Sequence, residues 1–324
     1  VGDLQGEYDR VWAAVAGYFR TNPWVIGYDP FNEPFSKSLV TLGDEHFDGQ
    51  LECFYAGARH VGSPAHGAPT IKCPARDPAM GVIPTILASD PNHLIFYEPD
   101  IYAKHGAPNF VGPMNLPNLV FNVHVYCGYR SPTTGNPTNI AACAAQEQRS
   151  LKTRSEDRID LSSPSQPKGP AWFVSEFGAT SDPTLLQQLT DDENRSLVSW
   201  SYWAWKFYND PTGSADEGLV LPDGRLRATA TVLAQTFPQA IAGIPVSMSF
   251  DPTSGAFELV YKPNDALHAP TLIFVPTEIH YRHGYCARVK GGTVTSRPNS
   301  ELLRVKTATS THSVEVRVTA GPCP

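Results

Sequence analysis

The sequence predicts an α/β fold, the C-terminal five strands of a (β/α)8 TIM barrel, followed by an all-β sandwich. Three observations carry the prediction. Over residues 1–243, near-continuous apolar strand segments alternate with helical ones, which is the pattern of a parallel sheet. Carboxylates recur where those strands end, at Glu33, Glu98 and Glu176, and polar groups at the carboxyl ends of parallel strands mark the working face of a barrel. Over residues 244–324 the helical period is gone, and short alternating segments are separated by Gly, Pro, Asn and Asp. The domain boundary falls near Gly243.

Each element follows from local pattern. "YDRVWAAVAGYFR" (8–20) places Val11, Trp12, Val15, Tyr18 and Phe19 at helical spacing, and Asn22-Pro23 stops it. A strand over 25–31 comes next, then helical stretches at 44–61 and 80–89 around a Pro- and Gly-rich loop, 62–79. "HLIFYEP" (93–99), "LVFNVHVY" (119–126) and "AWFVSEFGA" (171–179) read as strands, with a helix around "IAACAAQEQRSLKTRSEDR" inside the polar stretch 128–170. A helix at 183–196, a fifth strand at 199–208 and a last helix at 226–242 complete the barrel part. A doubly wound sheet would carry a Gly-rich phosphate loop, and neither GxGxxG nor a P-loop is present. A closed barrel of this type needs eight strands. The expectation is therefore a C-terminal piece of a longer protein, with the N-terminal part bound as a separate chain, because an open five-strand sheet exposes raw edges and apolar surface.

Composition narrows the function. The 324 residues, 41% of them hydrophobic, suffice for a large core. The net charge of −7, with no basic run, argues against nucleic acid as a partner. No apolar stretch approaches the roughly 18–20 residues of a membrane span, and "VGDLQGEYDR" does not read as an export signal. Six cysteines contain no CxxC pair, so zinc is not expected. Fifteen connectivities are open to six cysteines; the favoured one joins sequence neighbours, Cys53–Cys73, Cys127–Cys143 and Cys286–Cys323, and implies an oxidising, secreted setting.

The chemistry gathers in "VIGYDPFNEPFSKSL" (25–39), where an apolar strand stops on an amide, a carboxylate and a proline. Alone, a Glu before Pro is a solvated loop charge. Glu176 repeats the context on another strand, and counting strands backward from eight puts Glu33 at the end of the fourth and Glu176 at the end of the seventh. Two carboxylates facing each other across a bowl are what glycoside hydrolysis requires. One, kept protonated, donates to the leaving oxygen, and the other, ionised, attacks the anomeric carbon. No metal or cofactor is needed for that chemistry.

"FNEP", "HVY" and "SEFG", in that order and followed by a Trp-rich strand, resemble glycoside hydrolase family 5. "GYDPFNEP", "IFYEP" and the segment "GAFELVYKP" with "TLIFVPTEIHYRHGYCARV" are similar to its endoglycoceramidase branch, enzymes that cut between oligosaccharide and ceramide. The resemblance implies a retaining mechanism with Glu33 as acid/base and Glu176 as nucleophile. It implies that Asn32 holds the sugar 2-hydroxyl, that His124 and Tyr126 line the subsite, with Tyr126 hydrogen-bonded to Glu176, and that Trp203 lies under the sugar. Trp205 is the second choice for that stacking role, on strand period. Glu98 is a further candidate substrate contact, with a structural ion pair as its bland reading; Asp29 reads as a loop brace, and Trp172 and Trp200 as packing. Asn194-Arg195-Ser196 is a glycosylation sequon for a eukaryotic host.

A glycolipid or oligosaccharide is thus the expected substrate. The alternatives are a related β-glucosidase acting on glucosylceramide or a steryl glucoside, another family 5 β-glycanase, or an inactive sugar- or lipid-binding module. A ceramide substrate calls for an apolar groove, and residues 111–121 and the loop after the strand at 199–208 are candidate walls. Two roles stay open for the sandwich: orienting the chain at a membrane surface, or covering the barrel.

Overall fold

The computed structural model describes residues 3–36, 45–57, 66–67, 73, 81–105, 107–112, 114, 116–131, 136–158, 169–206 and 217–323. The chain divides into two compact units, residues 1–129 with 141–177, and residues 130–140 with 178–324.

The first unit opens with α1 (Leu4–Phe19), capped by the Asp3 carboxylate, which accepts the Gly6 N–H at 3.1 Å. Next come β1 (Gly27–Tyr28), α2 (Glu45–Ala56), α3 (Val82–Ser89) and β2 (Leu94–Tyr97). Pro84 sits in the first turn of α3, where its missing N–H removes no intrahelical bond. A short 3-10 helix (Ile101–His105), β3 (Leu119–Val125), α4 (Ile140–Arg158) and β4 (Ala171–Phe177) follow. β1 to β4 pair in parallel in chain order. Every residue of β3 is buried, as expected of a parallel strand covered on both faces. Gly27 is required in β1: a Cβ there would lie 2.7 Å from the Phe96 ring and 2.3 Å from the Leu94 carbonyl oxygen.

The second unit holds α5 (Pro183–Arg195), with Asp182 as N-cap, then β5 (Ser199–Trp200) and α6 (Ala230–Leu233). Eight strands follow: β6 (Phe237–Ala240), β7 (Gly243–Asp251), β8 (Ala256–Pro263), β9 (Thr271–Phe274), β10 (Tyr285–Lys290), β11 (Gly292–Val294), β12 (Leu302–Thr307) and β13 (Val314–Ala320). They form two antiparallel sheets, ordered β10-β13-β8-β7 and β11-β12-β9-β6. Alternate residues of both sheets, among them Phe257, Leu259, Tyr261, Ile273, Val305 and Val316, make one core. The helix expected over 226–242 is corrected: only Ala230–Leu233 is α-helical, and Phe237–Ala240 is an edge strand. Pro238 explains the change, because the residue before a proline is driven to extended geometry and an edge strand tolerates the missing donor. The fifth strand is shorter than expected; among the described residues between Trp200 and α6 the pairing consists of isolated bridges, Gly178 with Trp203, Lys206 with Val220 and Val220 with Leu226.

Disulfides join Cys53–Cys73, Cys127–Cys143 and Cys286–Cys323, with Cα separations of 5.3, 5.2 and 4.7 Å. Among the described residues no helix is long and apolar enough to cross a membrane.

Candidate active site

Strand register assembles the site within the first unit. Paired residues of a parallel ladder share a face, so Phe96 lies with Val120, and Asn122 with Phe173. One step further the register shifts: Val123 pairs with Val174, and His124 with Glu176. Ser175 is the extra residue of this bulge. Without it, His124 would face Ser175, and Glu176 would turn to the opposite side of the sheet. Asn122 fills the irregularity. Its Oδ1 accepts the Ser175 N–H at 3.1 Å, and its Nδ2 donates to Ser175 Oγ at 2.7 Å and to Asp29 Oδ2 at 2.8 Å.

The bulge brings Glu33 and Glu176 together around His124. A ligand atom from each of the three side chains lies within 4.8 Å of the other two. His124 Nδ1 is 2.8 Å from Glu33 Oε1 and 3.3 Å from Glu176 Oε2, and His124 Nε2 is 3.3 Å from Glu98 Oε1. Tyr126 donates its hydroxyl to Glu176 Oε2 at 2.7 Å. Lys104 Nζ stands 4.0 Å from Glu33 Oε1 and 5.6 Å from the Tyr126 ring centre. The strand end that carries Tyr126 is itself pinned: Gln146 of α4 donates to the Tyr126 carbonyl at 2.9 Å, and the Cys127–Cys143 disulfide ties the next residue to the same helix.

Electrostatics follow from this crowding. Burial alone would lower the His124 pKa, but its hydrogen bonds to Glu33 and Glu98, with the charges of Glu98 and Glu176, raise it to about 10. The ring is therefore an imidazolium that donates from both nitrogens. Burial raises Glu176; the His124 charge and the Tyr126 hydrogen bond oppose it, and the Glu33 and Asp29 charges add to it. Asp29 is also raised, by burial and then by the charge and hydrogen bond of Glu98. Glu33, His124 and Glu176 could offer ligand atoms to a cation.

Other expected residues are placed as follows. Asn32 is exposed beside Glu33. Trp203 and Trp205, 39% and 64% exposed, belong to the second unit. Glu98 is 3% exposed, and its oxygens are turned to Glu33, His124 and Asn122. In the stretch 111–121, Val111, Met114, Leu119, Val120 and Phe121 are buried. The loop after Trp205 lies largely outside the described residues. Sequence reasoning missed Asn122 and Lys104; an amide in the middle of an otherwise apolar strand was the available signal for the first.

Parallel strands that present two carboxylates across a short gap define the class, a barrel glycosidase. The comparisons agree. The family described as Cellulase (glycosyl hydrolase family 5) matches residues 3–209, and the Glycoside hydrolase family 5 C-terminal domain matches residues 236–319. The chain belongs to glycoside hydrolase family 5, and its architecture is that family's TIM-barrel catalytic fold followed by a C-terminal antiparallel β sandwich. Endoglycoceramidase I of Rhodococcus hoagii (strain 103S) is 26% identical over 317 residues, covering 94% of this chain and 56% of the relative. The structure of Endo-glycoceramidase II from Rhodococcus sp. with ganglioside GM3 superposes with a TM-score of 0.71 at 20% identity, over 99% of this chain and 64% of that one. Sterylglucosidase 1 of Cryptococcus neoformans has a TM-score of 0.53 at 13% identity, over 73% of this chain and 42% of that one. The chain thus spans little more than half the length of the endoglycoceramidase of Rhodococcus hoagii.

Proposed function

We propose that the protein is a secreted, retaining endo-β-glycosidase that cleaves the bond between oligosaccharide and ceramide in glycosphingolipids. The observation that carries the reading is the short gap between Glu33 and Glu176, a carboxylate oxygen of one lying within 4.8 Å of an oxygen of the other. Carboxyl groups about 5–5.5 Å apart leave no room for a water between base and sugar, and they work through a covalent intermediate. Glu176 attacks the anomeric carbon while Glu33 gives its proton to the departing ceramide oxygen. Glu33 then takes a proton from water, which attacks the ester and frees the sugar. Tyr126 and His124 favour the ionised form of Glu176 against the upward push of burial, and Asn32, Trp203 and Trp205 contact the sugar. Endo-glycoceramidase II from Rhodococcus sp., known as a lactosyl-enzyme intermediate and as a ganglioside GM3 complex, supports both the covalent step and the glycolipid. Three disulfides support secretion. A peripheral membrane contact through the sandwich belongs to the same reading, supported by Ile244 and Val246 of β7, 68% and 49% exposed.

The test is a substrate panel. Fluorescent ganglioside is expected to yield intact oligosaccharide and ceramide, with no turnover of carboxymethylcellulose. Cleavage confined to glucosylceramide or a steryl glucoside would move the assignment to a β-glucosidase, the reading that the sterylglucosidase likeness favours. Glu176→Ala is expected to fold and bind sugar without turnover; activity retained there removes Glu176 as nucleophile.

A further inference from the structure

We propose that Glu98 is the positioning residue of the acid/base: it locks the backbone of Glu33 and holds His124 between the two reacting carboxylates. This rests on the reading of Glu33 as proton donor. Glu33 has φ +47°, in the left-handed region that a residue with a Cβ enters only when its surroundings impose it. What imposes it is visible. The Glu33 N–H donates to Glu98 Oε2 at 3.0 Å. The other oxygen, Oε1, lies 3.3 Å from His124 Nε2 and 3.4 Å from Asn122 Nδ2. One buried carboxylate therefore reaches Glu33 twice, through its backbone and through the imidazolium whose Nδ1 meets Glu33 Oε1 at 2.8 Å.

Glu98 is itself held from behind. The Tyr55 hydroxyl, fully buried on α2, donates to the Glu98 carbonyl at 3.0 Å and accepts the Glu98 N–H at 3.1 Å. The residue cannot drift without breaking both bonds. A substrate contact would need a free oxygen and an open path. A positioning group needs burial and full occupancy, which is what Glu98 has. The charged and titratable groups around it are Asp29 after β1, Glu33, Tyr55 of α2, Lys104 of the 3-10 helix, and His124 and Glu176 of β3 and β4.

Leaving-group dependence separates positioning from general damage. An alkyl β-lactoside, like a ceramide, needs proton donation to leave; 2,4-dinitrophenyl β-lactoside does not. Glu98→Gln keeps the volume and removes the charge, and in either orientation its amide N–H₂ meets a donor, the His124 Nε2 or the Glu33 N–H. Its first-turnover rate is expected to fall roughly 10–100-fold on the alkyl lactoside, the size typical of lost supporting contacts. Little change is expected in the dinitrophenolate burst, and the His124 ring should titrate at lower pH by NMR. Tyr55→Phe, which frees the Glu98 backbone, should show the same selectivity more weakly and guards against a Glu98 variant that misfolds. Equal losses on both substrates, or none on either, overturn the proposal. Glu33→Gln runs alongside: if it shows no leaving-group selectivity, the role of Glu33 fails; if it does and the Glu98 and Tyr55 variants do not, only the positioning role fails.

Discussion

At the scale of the residue, Tyr126 shows how one hydroxyl sets a working charge. Its 2.7 Å bond to Glu176 opposes the upward push of burial on that carboxyl. A hydrogen bond to a charged group contributes about 1.5–3 kcal/mol, so Tyr126→Phe is expected to lower kcat/KM roughly 10- to 100-fold. The pH profile supplies the sign. The nucleophile acts ionised, so activity is lost as pH falls through the Glu176 pKa. Removing a bond that lowers this pKa moves the acidic limb to higher pH. A pH–rate profile in which that limb stays put, or moves down, contradicts the role of Tyr126. Asn194 makes the converse point about reading residues singly. It opens a glycosylation sequon, yet it is 2% exposed and donates its amide to Gln235 Oε1 at 2.8 Å, so in the folded chain it offers no free amide to an oligosaccharide.

At the scale of the element, the Ser175 bulge in β4 decides which way Glu176 points, and Asn122 of β3 holds the bulge. Asn122→Ala leaves the Ser175 N–H without its acceptor. An orphaned donor costs about 1–3 kcal/mol when buried, and Ser175 is half-buried; urea unfolding is expected to show a loss toward the lower end of that range, with a drop in kcat that outweighs any change in KM. Unchanged stability and turnover would mean that strand pairing alone sets the register. This device was not legible beforehand. Glu33, His124, Tyr126 and Glu176 lie in the motifs that carry the family resemblance, FNEP, HVY and SEFG, and the structure brings the four side chains together. Asn122 gives no such pattern, since its role exists only across a ladder that is out of step. Glu98 was visible as a strand-end acid, but its burial and partners were not, because nothing local tells a carboxylate facing substrate from one gripped by Tyr55. The parallel strands and the change to an all-β pattern were readable from periodicity. The helix expected over 226–242 failed at Pro238, where one residue's backbone restriction outweighed an apolar spacing that suited a helix.

At the scale of the whole molecule, the outer surface of α1 carries an exposed apolar stripe. Leu4, Val11 and Tyr18, seven residues apart, are 81%, 60% and 80% exposed, and Trp24 and Ile26 just beyond are 90% and 65% exposed. Seven residues are close to two helical turns, so the first three form one stripe along the helix. Large contiguous apolar surface in water marks a contact site, and a family whose barrel closes with eight strands offers an obvious occupant. The expected cover is a segment bearing further strands of the barrel, and the test for it as a bound second polypeptide is direct. Native mass spectrometry of the purified protein is expected to find a second polypeptide bound, and intact-mass analysis under denaturing conditions should resolve the two. Separating them should shift Trp24 fluorescence to longer wavelength, raise binding of a hydrophobic dye and abolish turnover. A lone polypeptide of this sequence that stays monodisperse and cleaves ganglioside would show that the stripe needs no cover and that five strands are enough to hold Glu33 against Glu176.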